Sequence, residues 1–408
     1  MKKIIVNGGI KLQGDLTVSG SKNAALPIIF ACILTNGVSE IDNLPNIGDV
    51  REALSIIISL GARVERRGSL TLIDTRHLAY TDPDPVITSK IRASTYLLGA
   101  CLSRFGRCPT LVFGGCNFSH RPIDMHLDAC RALGARVDDY MITADRLVGS
   151  EICFDKASVG ATVNAILLSA SAEGETVIRG CAIEPHIDAL IDFLISCGAS
   201  IIRQGRELHI LGRELHGGRI SVIGDYIEAG SYIALGITCC GPVRVHNAPI
   251  SHMSSVLDSL STLGAVFSFE NGAISARLAS PDYLSITTAP YPAFPTDLQP
   301  IFAPLMAVLA GGDITDTVWR ERFGYLDSLS TFGVLSQRDG NRARIFKSKI
   351  HSGKTAAPDL RGGMACLMTA LAAKGRSEIY SLDTILRGYE NLEKKLRALG
   401  ADIKIEDT

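Results

Sequence analysis

The sequence is poor in aromatic residues, holds a single tryptophan and carries almost no net charge. Aromatic residues make up 6% of the 408 residues. The chain has 41 lysines and arginines and 42 acidic residues, which gives a net charge of -1. A nucleic-acid-binding protein would usually show a basic excess, so this balance argues against that class. Any site for an anionic ligand must therefore be local.

Long apolar runs are also missing. The longest apolar runs contain Gly, Ser or Asn, and they stay near about 15 residues, below the roughly 20 that a membrane-spanning helix needs. The N-terminal stretch turns polar at Asn7, so it is too short for the apolar region of a secretory signal. We therefore expect a cytoplasmic protein that does not bind a membrane.

Metal-binding and redox cysteine motifs are absent as well. The eleven cysteines are scattered, and only Cys239 and Cys240 lie close together. No pair has the spacing of a zinc-ligand set or of a redox CxxC motif. Thiols used as small apolar residues are typical of a reducing compartment.

What the sequence does contain is one unit repeated six times. Each unit begins with an apolar run that is preceded by polar residues and followed by glycine, and these runs are 21–37, 90–106, 158–174, 228–241, 297–311 and 359–375. In each unit, a triplet similar to Leu-Gly-Ala follows a second, amphipathic stretch, with its glycine at positions 61, 134, 198, 264, 333 and 400. The spacing of 64 to 73 residues predicts six small α/β subdomains rather than a solenoid.

The two predicted helices of each unit differ in character. The second has one polar face and should lie outside, whereas the first, such as 161–168, has little charge along its length and should be buried on all sides. Three units could enclose one bundle of such helices, which predicts two globular halves. The glycine after each helix is expected to be a C′ residue with positive φ.

Charged residues cluster at the starts of the buried helices. They are Lys22, Lys90, Arg92, Lys156, Glu228, Asp297, Asp359 and Arg361, and the polar Ser158 follows Lys156 at one of these starts. A helix start favours anions, so basic residues there are locally unfavourable and suggest a shared anionic ligand. The alternative is that these residues are only caps and solvated first-turn charges, which is the first expectation for the two aspartates.

The segment 114–126 has the features of a reactive loop. Gly114 and Gly115 give the backbone freedom that a mobile loop needs, and Cys116 has His120 and Arg121 within five residues. Nearby positive charge favours the thiolate of a cysteine. The alternative, an inert buried thiol, is the expectation for the other ten cysteines. A thioester hydrolase is a further reading, but no neighbouring motif supplies an oxyanion hole or an orienting third residue.

Several motifs together resemble those of the enolpyruvyl transferases, over nearly the whole chain. They are 20–26 (GSKNAAL), 114–116 (GGC) with Arg121-Pro122, 155–163 (DKASVGATV), 291–297 (YPAFPTD) and 387–390 (RGYE). The resemblance implies an α/β fold of two inside-out domains, each with three βαβαββ repeats around a buried helix bundle. It places one domain, with a catalytic lid loop, at 20–226, the other at 1–19 and 227–408, and the active site in the cleft between them.

Within that family the motifs are most similar to the branch that acts on UDP-N-acetylglucosamine. The implied reaction moves the enolpyruvyl group of phosphoenolpyruvate to the sugar 3-hydroxyl and releases phosphate, the first committed step of peptidoglycan synthesis. It proceeds through a tetrahedral ketal and needs cations and proton-transferring groups in a water-poor site. The resemblance implies no metal or organic cofactor and these two small-molecule substrates as partners. The sequence does not give the oligomeric state, for which a monomer is one option.

The resemblance also implies roles for individual residues. Lys22, Arg121 and Arg387 would hold phosphoenolpyruvate with Arg92 nearby, since guanidinium groups match phosphate and carboxylate oxygens. Cys116 would assist proton transfer to C3 and be the attachment point of fosfomycin, and Asp297 would be the base for the acceptor hydroxyl. The residues expected to line the substrate nucleotide and sugar are Arg121, Pro122, Ile123, Asp124, Met125, Lys156, Ser158, Val159 and Gly160, with Asn23 and Arg322 on the sugar side.

Three departures from the family pattern leave the acceptor open. In the loop, Phe113 replaces a proline and Phe118-Ser119-His120 precede Arg121. The segment 384–386 reads Thr-Ile-Leu, and Tyr226 stands where an arginine is expected. The alternatives are an enolpyruvyl transferase that acts on another nucleotide or nucleotide sugar, and a non-catalytic paralogue that binds a nucleotide sugar. The presence of Lys22, Cys116 and Asp297 argues against the non-catalytic paralogue, because binding alone would not require a thiol and a carboxylate base.

Overall fold

The computed structural model describes residues 2–110, 114 and 122–407, and these residues form two compact units. The middle unit comprises the described residues from 20 to 223, and the terminal unit comprises 2–19 and 224–407. Gly224, Asp225 and Tyr226 belong to the terminal unit. There the Asp225 carboxylate caps the following helix by accepting hydrogen bonds from the backbone N–H groups of Ile227 and Glu228.

The strands and helices of the described residues have the following bounds. The strands are β1 Lys2–Gly8, β2 Gly14–Thr17, β3 Val38–Asp42, β4 Arg63–Arg67, β5 Leu70–Asp74, β6 Arg107–Pro109, β7 Arg136–Val137, β8 Met141–Thr143, β9 Glu151–Cys153, β10 Glu175–Arg179, β11 Ser200–Gln204, β12 Glu207–Leu211, β13 Arg219–Ser221, β14 Val243–His246, β15 Ala265–Glu270, β16 Ala273–Leu278, β17 Leu284–Thr288, β18 Gly312–Asp316, β19 Ser336–Asp339, β20 Arg342–Ile345, β21 Lys354–Ala356, β22 Gly375–Tyr380 and β23 Asp402–Asp407. The α-helices are α1 Lys22–Ala31, α2 Gly48–Ser59, α3 Pro85–Thr88, α4 Leu97–Phe105, α5 Asp124–Ala132, α6 Val159–Ser169, α7 Pro185–Ser196, α8 Tyr226–Thr238, α9 Ser254–Thr262, α10 Gln299–Val308, α11 Tyr325–Ser330, α12 Leu360–Ala372, α13 Leu382–Leu386 and α14 Leu392–Ala398, and short 3-10 helices span Cys32–Leu34, Arg92–Tyr96 and Ile250–His252.

The third repeat shows the βαβαββ plan without interruption. It runs β9, α6, β10, α7, β11 and β12, and its sheet has the order β11-β12-β10-β9. The strands β9 and β10 are parallel, with Ile152 opposite Ile178. Parallel strands need a crossover connection, and here it is the buried helix α6. The last two strands form an antiparallel hairpin.

Strands from distant parts of the chain complete three of the other sheets. At the chain start, β1 pairs with β22 and β23, and β2 pairs in parallel with β14. In the same way β13 pairs in parallel with β3, so that the sheet of the first repeat has the order β13-β3-β5-β4. The fifth repeat has its own four strands, β17-β18-β20-β19. The sheet of the second repeat has three described strands, β6-β8-β7.

The first helix of each repeat is buried, as its low charge predicts. Every residue of α8 is buried, and in α12 the buried stretch runs from Leu360 to Leu371. The middle unit has one apolar core, which includes α1, α4 and α6, and the terminal unit has another, which includes α8, α10 and α12. The predicted α/β fold, with helices inside and sheets around them, is confirmed.

The glycine of each Leu-Gly-Ala-like triplet has positive φ, between 82° and 99°. At the end of α2 the N–H of Gly61 donates to Ile58 O and the N–H of Ala62 donates to Ile57 O, which is a Schellman cap. For the buried helices the prediction of positive φ is wrong at Gly37 and Gly241, which are not among the positive-φ glycines. A Cβ at Gly241 would lie 1.5 Å from the carbonyl oxygen of Leu12, so this glycine is required by a close backbone approach.

None of the helices in the described ranges is long and apolar enough to cross a membrane.

Candidate active site

In the terminal unit, the carboxylate of Asp297 lies between two buried arginines. Asp297 is two residues before the start of α10, and its Oδ1 accepts a hydrogen bond of 2.7 Å from Arg322 Nη1. Its Oδ2 lies 3.4 Å from Nε and Nη2 of Arg361, the second residue of α12. The side chains of Arg322 and Arg361 are 5% and 1% exposed, whereas that of Asp297 is 29% exposed. The carboxylate is therefore the accessible member of the group.

Both arginines remain charged in spite of their burial. For Arg322, burial lowers the pKa, but the charges of Asp297 and Asp359 raise it by more. For Arg361, burial again lowers the pKa, and Tyr389 and Asp297 raise it above its usual range. Arg361 Nη1 is buried and has no hydrogen-bond acceptor in the described part of the chain. A buried N–H group without an acceptor is costly.

The N-cap of its own helix and the ring of Tyr389 hold Arg361. The Asp359 carboxylate caps α12 by accepting from the backbone N–H groups of Arg361 (2.9 Å) and Gly362 (3.1 Å). The guanidinium carbon of Arg361 lies 5.3 Å from the centre of the Tyr389 ring, in cation–π geometry, and the Tyr389 hydroxyl is 2.9 Å from Ser231 Oγ. Arg387 lies two residues before Tyr389, directly after α13, and is half-buried.

In the middle unit, Lys22 forms an ion pair at the start of α1. Its Nζ lies 3.3 Å from Asp49 Oδ2, and the two side chains are 13% and 7% exposed. Asn23 follows on the same helix and is half-buried. Lys22 is thus held near a helix start with a carboxylate at its side, where the dipole alone would disfavour a cation.

A buried histidine connects three predicted substrate-binding segments of this unit. His126 Nδ1 is 2.7 Å from Asn164 Nδ2, and Asn164 Nδ2 also donates to Thr95 O at 3.1 Å. Burial, and then the charge of Arg92, lower the pKa of His126 to about 4. A Cβ added to Gly160 would lie 2.8 Å from the imidazole Cε1. The pair therefore connects the 3-10 helix that begins at Arg92, the first turn of α5 and the helix α6.

The residues predicted to line the nucleotide lie around α5 and the start of α6. Pro122 is exposed, Ile123 precedes α5, and Asp124 and Met125 begin it. Ser158 caps α6, and Val159 and Gly160 form its first turn. Met125 and Lys156 also line a cavity of about 450 Å³ between α5 and β9. Cys116 and Arg121 lie outside the described residues.

The described cysteines differ in exposure, which corrects one expectation. All ten are free, and most are buried, but Cys153 and Cys240 are exposed, because β9 and the turn after α8 direct them outward. The expectation of a buried thiol is therefore wrong for these two. Burial raises the pKa of Cys239 to about 12 and that of Cys181 to about 11, as expected of inert thiols.

Sequence reasoning missed several residues of these clusters. Asp49 and Asn164 were not assigned to a site, His126 was noted only as the last residue of the segment 114–126, and Arg361 was noted only as a charge at a helix start. A polar residue inside an otherwise apolar helix, such as Asn164, is a usable signal, because a buried amide needs partners. The partner itself cannot be read from the sequence, since His126 is 38 residues away.

Comparison with known proteins identifies the family. Residues 6–396 match the family model described as EPSP synthase (3-phosphoshikimate 1-carboxyvinyltransferase). The chain is 40% identical over 418 residues to a protein of Clostridium acetobutylicum named UDP-N-acetylglucosamine 1-carboxyvinyltransferase 2, with 100% of each chain covered. It is 38% identical over 412 residues to UDP-N-acetylglucosamine 1-carboxyvinyltransferase 3 of Caldanaerobacter subterraneus subsp. tengcongensis, with 99% of each covered.

Solved structures agree with these relatives. The crystal structure of the enolpyruvyl transferase NikO from Streptomyces tendae superposes with a TM-score of 0.90 at 25% identity, covering 100% of this chain and 99% of that one. EPSP synthase from Acinetobacter baumannii shares the fold, with a TM-score of 0.75 at 18% identity and full coverage of both chains. The motifs, the six repeats and these full-length matches agree, and the chain belongs to the enolpyruvyl transferase family.

Proposed function

We propose that this chain transfers the enolpyruvyl group of phosphoenolpyruvate to the 3-hydroxyl of UDP-N-acetylglucosamine with release of phosphate. The single observation that carries the proposal is the accessible Asp297 carboxylate held by Arg322 and Arg361, both buried. A fixed carboxylate can take a proton from a hydroxyl, and the two buried guanidinium groups hold this carboxylate in place. The relatives named for this reaction support the acceptor.

The proposed chemistry has two steps. In the first, Asp297 takes the proton of the acceptor hydroxyl, whose oxygen forms a bond to C2 of phosphoenolpyruvate while C3 gains a proton. In the second, the resulting ketal loses a proton from C3 as the bond between C2 and the phosphate oxygen breaks. The atoms balance as an ether of enolpyruvate and one phosphate. Such a reaction would serve as the first committed step of peptidoglycan synthesis.

The other predicted residues keep their proposed roles. Lys22, Arg92, Arg121 and Arg387 would hold phosphoenolpyruvate, and Cys116 would assist proton transfer to C3. The residues from Arg121 to Met125, Lys156, and the first turn of α6 would bind the nucleotide, with Asn23 and Arg322 on the sugar side.

A second candidate is an enolpyruvyl transferase that acts on another nucleotide or nucleotide sugar. NikO, whose structure superposes over the whole chain with a TM-score of 0.90, is named only as an enolpyruvyl transferase, so this likeness supports the reaction class and does not decide the acceptor.

Phosphate release from phosphoenolpyruvate tests the proposal. UDP-N-acetylglucosamine, UMP, UDP-glucose and 3-phosphoshikimate would be compared as acceptors, with Asp297→Asn as the impaired variant and the exposed Asp339→Asn as its matched control. We expect release with UDP-N-acetylglucosamine, retained in Asp339→Asn and lost in Asp297→Asn. Release only with another acceptor would establish the second candidate. Tight nucleotide-sugar binding without any release would mean a binding protein.

A further inference from the structure

A second carboxylate, that of Asp316, is fully buried and is connected to Asp297 through hydrogen bonds of Thr296 and Arg322. Asp316 is the last residue of β18 and has no exposed surface. Its two oxygens accept hydrogen bonds from separate parts of the chain. The donors to Oδ1 are Thr288 Oγ1 (2.7 Å) and the N–H groups of Val318 (2.9 Å) and Trp319 (2.8 Å), and those to Oδ2 are Thr296 Oγ1 (2.6 Å) and Gln299 Nε2 (3.5 Å).

The two carboxylate oxygens of Asp316 hold different parts of the chain. Oδ1 fixes the loop after β18, because two of its three donors are backbone N–H groups of that loop. Oδ2 fixes Thr296, the residue immediately before Asp297. A hydroxyl has one proton, so when Thr296 donates to Asp316 its oxygen is left to accept. That oxygen accepts from Arg322 Nη1 at 3.3 Å, and the same Nη1 donates to Asp297 at 2.7 Å.

Gln299 fixes the backbone at Arg322 from the other side. Its Nε2 donates to the carbonyl oxygen of Arg322 at 2.7 Å, and its Oε1 accepts from the Tyr325 hydroxyl at 2.6 Å. The amide orientation follows from these two partners, so its contact with Asp316 is also that of a donor. Asp316 thus receives hydrogen bonds from both segments that carry the Asp297–Arg322 pair.

We propose that Asp316 is a positioning residue that orients Asp297 and Arg322 for proton transfer from the acceptor hydroxyl. Asp316 does not touch the substrate. Its carboxylate sets the direction of the Thr296 hydroxyl and the path of the loop that ends at Arg322. This inference rests on the proposed function, in which Asp297 is the base.

Asp316→Asn separates the two tasks. The asparagine oxygen can keep the Oδ1 position, where two rigid N–H groups point, and its NH2 group then takes the Oδ2 position. A second donor there faces Thr296, whose oxygen must now accept from both sides and can no longer be oriented by Asp316. The loop stays anchored while the Thr296–Arg322–Asp297 contacts change. Misplacement of a reacting group by about 1 Å or less lowers turnover by roughly ten- to a hundredfold.

The test measures kcat and KM for both substrates in Asp316→Asn, Thr296→Val, their double variant, and Thr288→Val. Thr288→Val is the matched control, because it removes a hydroxyl donor to the other oxygen of Asp316. We expect the first two to lose kcat by roughly ten- to a hundredfold with KM within about threefold. The double variant should lose no more than the worse single, since both changes break one contact, and Thr288→Val should keep kcat within about threefold.

Unchanged kcat in Thr296→Val, or equal losses in Thr296→Val and Thr288→Val, would overturn the inference even if Asp316→Asn does not fold. Multiplying losses in the double variant would also overturn it. These results are distinguishable from failure of the proposed function. If the unmodified protein released no phosphate with any acceptor, the proposed function would fail first, and the role of Asp316 would fail with it.

Discussion

Asn164 Nδ2 lies 2.7 Å from Nδ1 of His126, and the surroundings of the amide decide which group donates. Asn164 Oδ1 accepts from the backbone N–H of Gly99 at 2.7 Å, and Nδ2 donates to the carbonyl of Thr95. The imidazole Nδ1 must therefore be the acceptor, and the proton of the neutral ring is on Nε2. A second proton on Nδ1 would place two donors face to face, in agreement with the low pKa of His126.

The first prediction is a loss of stability at mildly acidic pH. A histidine in the unfolded chain has a pKa near about 6.5, whereas that of His126 in the folded protein is about 4. Between these values the unfolded state binds a proton that the folded state does not, so stability present above pH 6.5 is lost as the pH falls toward 4. The full contribution is on the order of 3 kcal/mol, and about 2 kcal/mol would be lost by pH 5.

Urea denaturation at pH 7.5 and pH 5 measures this effect. His126→Gln, which cannot titrate, should lose less stability than the unmodified protein across that interval, by about 2 kcal/mol. The exposed His77→Gln is the control and should keep the dependence of the unmodified protein. Identical pH dependence in both variants would show that His126 is not the responsible group.

The second prediction concerns the space between Gly160 and His126. In Gly160→Ala the new methyl group would lie 2.8 Å from His126 Cε1, and the imidazole cannot turn away without losing its bond to Asn164. We expect a stability loss of about 1–3 kcal/mol and about tenfold weaker binding of UDP-N-acetylglucosamine, measured by calorimetry. Gly324→Ala is the control. Its Cβ meets open space in a right-handed helical backbone, so it should be neutral or slightly stabilising.

The third prediction concerns the buried ion pair of Glu228 and Lys395. Lys395 Nζ lies 2.6 Å from Glu228 Oε1, and the other oxygen accepts from the backbone N–H of Ser19. The side chains are 11% and 2% exposed for lysine and glutamate. Burial raises the pKa of Glu228, which the charge of Lys395 opposes. Lys395→Met should therefore cost about 3–5 kcal/mol, because it leaves a buried carboxylate without its cation.

The matched variant is the double change Lys395→Met with Glu228→Gln. It removes both charges and should recover part of the stability lost in the single variant. In the single variant, the buried Glu228 carboxyl should fold best when protonated, so the loss should grow as the pH rises. Equal free energies of unfolding for the single and double variants would refute the argument.

The fourth prediction concerns the thiols. Cys116→Ala should strongly impair turnover, whereas Cys239→Ala should have little effect, since the Cys239 thiol is buried with a pKa of about 12. Cys116→Asp should keep a protonatable group and part of the activity while blocking alkylation at that position. Alkylation must be mapped residue by residue, because the exposed Cys153 and Cys240 will also react. Equal activity losses in the two alanine variants would remove the assigned role of Cys116.

Much of the fold could be predicted because it depends on local patterns that recur. The charge-free run of α6 predicts burial on all sides, and the glycine after each outer helix predicts the positive φ that the structure shows at Gly61 and its five counterparts. The exceptions have a tertiary cause. Gly241 is required by the backbone of Leu12, which is more than 200 residues away, and no local pattern contains that contact.

The candidate site divides in the same way. Asp297 lies in the motif 291–297 and Arg322 is implied by the family resemblance, and in the structure Arg322 Nη1 lies 2.7 Å from Asp297 Oδ1. The sequence contains Arg361 only as one of several charges at helix starts. Arg361 reaches the Asp297 carboxylate because α10 and α12 pack side by side, which places Arg361 Nη2 3.4 Å from Asp297 Oδ2.

The sequence by itself determined the residue types, the six repeats and which helices are buried, since hydrophobic periodicity and glycine conformation act over a few residues. Only the tertiary structure decided which charges are neutralised and which remain available. Lys22 is paired with Asp49, Lys395 with Glu228, while Arg361 keeps a buried N–H without an acceptor in the described residues. The physical reason is that burial and Coulomb interaction depend on distances in space, which packing sets and sequence separation does not.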